Sequence, residues 1–106
     1  MSKELLLVVD AVANEKGVPE SVIIEALEAA LATAAKKRYH EQDVLTRVSI
    51  NPKDGSYETF RRWEVVADDV VMESPDRQTR LMDAVDEVEG VEVGDYIEEQ
   101  IENPEF

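Results

Sequence analysis

Up to His40 the apolar residues recur at helical spacing; beyond it they alternate with a period of two. At about 100° per residue, Leu5, Leu6, Val9, Val12 and Ala13 fall on one face, with Lys3, Asp10 and Asn14 opposite. This predicts a first helix over residues 3–15, with Ser2 as a candidate cap. Gly17 follows Lys16 as a helix stop, and Pro19 suits the first turn of a second helix reaching Arg38. The two helices read as an αα-hairpin. From Val22 to Ala35, 11 of 14 positions are apolar, so most of the second helix's circumference needs cover from the first helix, a sheet or a partner.

Val44, Val48 and Ile50 alternate with Leu45, Arg47 and Ser49, as in a half-buried strand. Asn51-Pro52-Lys53-Asp54-Gly55 is turn chemistry, and a second strand is expected from Tyr57 to Val66. Tyr57 and Trp63 share a parity that Phe60 lacks, which a bulge near Arg61-Arg62 would reconcile. Ser74-Pro75-Asp76 marks a loop, and Leu81 to Val88 reads as a short helix or a strand turning into one. Gly90 and Gly94 flank Val91 and Val93, and Tyr96 to Ile101 forms a last strand. The expected fold is α+β: an N-terminal αα-hairpin packed on a small, mainly antiparallel sheet, with one short additional helix.

The length of 106 residues fits a single globular domain over 1–106, without internal repeat, low-complexity tract or linker. Roughly 65% of the unfolded surface of such a chain can be buried, which suggests one core. No Cys is present, which excludes disulfides, thiolate zinc sites and cysteine nucleophiles, and there is one His. With no EF-hand spacing and no glycine-rich phosphate loop, neither a metal nor another cofactor nor a small-molecule substrate is expected. His40 closes a helix, where the dipole alone favours it, and no serine stands in a nucleophile setting; no catalytic residue is expected. The apolar run Leu5 to Val9 is too short for a signal or a membrane span, which points to the cytoplasm and away from membranes.

The net charge of −14 argues against a surface wholly given to nucleic acid. Its distribution alters that view. Residues 1–40 carry 6 acids and 5 bases, residues 41–65 carry 5 and 4, and residues 66–106 carry 14 and 2. A near-neutral part with basic spots thus precedes a strongly acidic one. Lys36-Lys37-Arg38 either complements the helix dipole or offers a cationic contact. Of Arg61 and Arg62, neighbours on a strand, one should pack inside or over an aromatic and the other point outward; alternatively they protect an edge strand. Leu7 and Val8 lie outside the core stripe of the first helix, as lone exposed apolar residues or part of a docking patch. The residues alone describe an acidic α+β interaction domain, docking a protein on its helical hairpin and touching RNA locally.

Several segments together resemble the N-terminal domain of the bacterial transcription elongation factor NusA. They are Asn14-Glu15-Lys16; Glu25 to Ala34 with the basic triplet and Tyr39; TFRRWEVV from Thr59 to Val66; and VGDYIEEQIE from Val93 to Glu102. Arg80 departs from the pattern, standing where the family usually has a small hydroxyl cap. The resemblance implies docking on the flap of the RNA polymerase β subunit beside the RNA exit channel. It also implies contact with the polymerase α C-terminal domain, weak binding of nascent RNA, and effects on pausing, termination and antitermination. Family chains continue into a connecting helix, an OB-fold domain and two KH domains, so this chain would correspond to their head. A flap-tip helix needs an apolar groove, for which Leu7, Val8, Ile24, Leu27 and Leu31 are candidates. Lys36, Lys37, Arg38 and one of Arg61 or Arg62 suit phosphates of the emerging RNA. The alternative is a free-standing acidic inhibitor or nucleic-acid mimic that presents residues 66–106 to a basic partner.

Overall fold

A computed structural model of the chain describes residues 2–40 and 42–105, apart from the side chain of Ser2, so the predicted cap lies outside the described residues. Helix α1 (Ser2–Lys16) and helix α2 (Glu20–Lys37) form the expected hairpin. Gly17 takes φ 66° and the Val18 N–H donates to the Ala13 carbonyl at 3.1 Å, ending α1 in the left-handed turn that glycine tolerates. Pro19 is the N-cap of α2 and leads with an extended backbone into Glu20. The α1 stripe is buried at Leu5, Val9 and Ala13, and half-buried at Leu6 and Val12.

Strand β1 (Leu45–Ile50) turns through residues 51–56 into β2 (Tyr57–Val66). Asn51 Oδ1 and Asp54 Oδ1 accept from the Lys53 and Ser56 amides, and Gly55 takes φ 74°. Strand β3 (Gln78–Arg80) runs directly into α3 (Leu81–Glu87), and β4 (Tyr96–Ile101) closes the sheet. The central strand is β2: antiparallel to β1 and β4, parallel to β3. Glu64 pairs with both Gln78 and Tyr96, so β3 and β4 flank β2 on opposite sides, and β3 extends the β1 edge. The architecture is α+β with a small mixed sheet, as the pattern predicted.

Three sequence expectations fail here. No bulge interrupts β2: its register with β1 runs unbroken from Tyr57 to Arg62, and that with β4 from Thr59 to Glu64. Phe60 simply lies on the outer face, opposite Arg47, whose guanidinium sits 4.5 Å from its ring centroid. Nor is β2 an edge strand shielded by Arg61 and Arg62. Finally, the chain builds two apolar clusters rather than one. The larger joins the hairpin to β1 and β2 through Leu5, Val9, Leu31, Val48, Ile50 and Tyr57. The smaller joins α3 to the far end of β2 and to β4 through Val65, Ala84 and Ile97. The described chain is correspondingly long, 51 × 30 × 22 Å, with a radius of gyration of 16.5 Å against about 13 Å for a compact domain this size.

Polar side chains fix the joints. Glu28, one of the three polar residues between Val22 and Ala35, accepts from the Ile50 N–H at 2.9 Å and so holds the helix over β1. Thr46 donates to the Ala32 carbonyl at 2.7 Å. The fully buried Thr59 donates to Asn103, Asn103 donates to the Tyr57 carbonyl, and Tyr57 donates to the Pro104 carbonyl, which fastens the segment after β4 to the sheet. The start of α3 is also held from a distance. The Met82 N–H donates to Asp68 Oδ1 at 2.9 Å, while Arg80 binds the Asp68 and Val70 carbonyls. Arg80 cannot act as the hydroxyl cap it replaces; it positions the loop whose Asp68 does so.

Candidate functional site

The five apolar residues predicted on the hairpin separate into two groups. Leu7 is 70% exposed and Val8 40%, on the side of α1 away from the core. Leu31, by contrast, is buried in the main cluster, and Ile24 and Leu27 pack against it. Leu31 is thus closed to a partner, while Ile24 and Leu27 are partly buried and turned toward the core. An α2 with 11 of 14 apolar positions gives no sign of which side the sheet will cover. The uncovered side of α2 carries Val22, 48% exposed, with Ala26, Ala29, Ala30 and Ala34. A close backbone approach is therefore open along α2, and two larger apolar side chains project from α1.

At the end of α2, Lys36, Lys37 and Arg38 are exposed. Arg38 donates to the Glu102 carbonyl, tying the helix end to the segment after β4. Among the described residues neither Lys36 nor Lys37 has an ion-pair partner. The three-residue connection makes the helices antiparallel, so these lysines share an end of the hairpin with the N-terminal half of α1.

Arg61 and Arg62 take opposite faces of the sheet, and neither is a free cation. Arg61 lies on the inner face between Tyr39 and Trp63, at 5.0 and 4.5 Å from their ring centroids, and donates to the Asp76 carbonyl at 3.1 Å. This stack spans the interval between the two clusters. Arg62 lies on the outer face, 3.8 Å from the Tyr96 ring centroid and 2.9 Å from Glu98 Oε2. Arg47 binds the same carboxylate through both oxygens, at 2.7 and 3.0 Å. That hydrogen-bonded pairing, with the Arg62 charge beside it, holds the Glu98 carboxyl below its ordinary range and raises Arg47 further. The division into a near-neutral part and an acidic part is thus partly undone by folding: β4 carries Glu98 onto Arg47 of β1 and Arg62 of β2.

Other features describe what surrounds these surfaces. His40 sits in the turn after α2 with φ 54°, an unusual conformation for a residue bearing a Cβ. Among the described residues no three His, Cys, Asp or Glu converge as metal ligands, and no helix is long and apolar enough to cross a membrane.

Comparison with known proteins matches residues 4–106 to the NusA N-terminal domain family. The chain is 36% identical over its whole length to the transcription termination/antitermination protein NusA of Bacillus subtilis, and 33% identical to that of Halalkalibacterium halodurans. It spans only 28% and 27% of those two proteins. The solution structure of the N-terminal domain of the B. subtilis protein superposes with a TM-score of 0.70 at 35% identity, covering 96% of this chain and 79% of that one. Motifs, fold and whole-length similarity agree: the chain belongs to the NusA N-terminal domain family.

Proposed function

We propose that this domain is the polymerase-binding head of a transcription termination/antitermination factor. In this reading it docks on the flap of the RNA polymerase β subunit through the hairpin, with Leu7 and Val8 as apolar anchors and the alanine side of α2 as the surface a short helix can approach closely. Lys36 and Lys37 then stand beside the RNA exit channel and contact phosphates of the nascent transcript weakly, while the arginines of the sheet serve the fold. The α C-terminal domain is a further polymerase contact. The observation that carries the reading is the pair Leu7 and Val8, exposed on the hairpin of a domain whose whole-length relatives are termination/antitermination proteins.

An NMR titration of the domain with a flap-tip peptide tests it. Shifts should concentrate on α1 and the exposed side of α2, and Leu7→Asp should weaken binding at least about tenfold, the equivalent of roughly 1.4 kcal/mol. Shifts confined to residues 66–105, fading steeply with added salt, would instead favour the acidic-mimic reading.

A further inference from the structure

The hairpin covers the Val48–Tyr57 end of the inner sheet face, and α3 covers the Val65–Ile97 end. Between them the face is open as a cleft of about 550 Å³. Its floor is Trp63 and Ile97, register partners on β2 and β4; Pro75 and Thr79 stand on the β3 side, and Glu87 and Glu99 complete the rim. Glu87 and Glu99 are exposed, and among the described residues neither forms an ion pair. Glu98 also reaches the cleft, but its carboxylate is held by Arg47 and Arg62 on the outer face. Arg61 faces Glu99 across the register, yet its guanidinium is directed to Tyr39, Trp63 and the Asp76 carbonyl. The two acids therefore outnumber the one engaged base, and the cleft attracts cations.

Beside this cleft the sheet is unfinished. β4 pairs only with β2, so among the described residues its outer row of backbone donors and acceptors has no strand partner. Glu99 on that strand and Glu102 beyond it repel an acidic strand, including a second copy of a chain with net charge −14. The same charges are complementary to a basic one. We infer that the free edge of β4 and the adjoining cleft form a docking site for an extended, basic segment of a partner protein. The segment adds as a strand along β4 and lays a lysine or arginine side chain over Trp63 between Glu87 and Glu99. This site is separate from the hairpin and does not depend on flap docking.

Trp63 is the only tryptophan, so its emission reports the cleft directly. A peptide of alternating lysine and valine is the probe, with a glutamate–valine peptide as control. The basic peptide should change Trp63 emission and slow hydrogen exchange of the β4 amides; the acidic peptide should do neither. Glu87→Gln and Glu99→Gln, both at exposed positions, should each weaken binding several-fold and together roughly tenfold, with thermal unfolding unchanged. Three results would overturn the proposal: no emission change or β4 protection; equal binding by the double variant, which signifies diffuse attraction to an acidic surface; or β4 protection that grows with the domain's own concentration, which signifies a second copy.

Discussion

Arginine in this domain is mainly a structural residue. Arg47 and Arg62 meet one carboxylate, Glu98, while lying over Phe60 and Tyr96, and Arg61 bridges Tyr39 and Trp63. A planar guanidinium can stack and pair at once, which lysine cannot do as well. Glu98→Gln should therefore lower stability at neutral pH by about 1 kcal/mol, a value kept small because the pair is partly solvated. Its pH dependence has a definite sign. Glu98 is held below its ordinary value of 4.5, so its contribution is complete above that pH and disappears as the pH falls through the lower folded value. Denaturant melts from pH 7 to pH 2 should show the wild-type lead over Glu98→Gln closing only in that acidic window. A constant lead across the range would remove the charge-based explanation. From the sequence, a basic dipeptide on a strand was readable as one inward and one outward arginine. That Glu98 would neutralise the outward one depended on β4 pairing with β2 in one register, which no local pattern reveals.

At the scale of elements, legibility followed the locality of the signal. α1, β1 and β4 were readable because each carries its own period. β3, three residues long, has none, and it forms because Glu64 to Val66 offer a ladder beyond the end of β1. α3 starts without a local cap because Asp68 supplies the acceptor for Met82 from 14 positions away. Asp68→Ala should cost about 1 kcal/mol and act locally: hydrogen exchange of the α3 amides should quicken while α1 and α2 stay protected. Equal loosening of both ends would mean the two clusters unfold as one. The hairpin makes a sharper contrast. Leu27, packed on the main cluster, should lose roughly 3 kcal/mol or more on replacement by Asp, whereas Leu7→Asp should change stability by less than about 0.5 kcal/mol. Thermal melts of the two variants check this. The periodicity of α2 showed that it was too apolar for one buried face, but not that alanine would be the side left open.

The whole molecule is a strand with a separate apolar cluster at each end: β2 runs from the hairpin's core to that of α3, and the Arg61 stack lies between. Glu98 of β4 is engaged by Arg47 and Arg62, while two lysines at the hairpin end have no ion-pair partner among the described residues. Polymerase binding is proposed to run through the exposed side of the hairpin. The most direct measurement is the affinity of purified RNA polymerase core for the domain and for its Leu7→Asp, Val8→Asp double variant, each first shown by its melt to be folded. The double variant should bind at least about tenfold more weakly, through faster dissociation. A folded double variant with undiminished affinity would contradict that proposal.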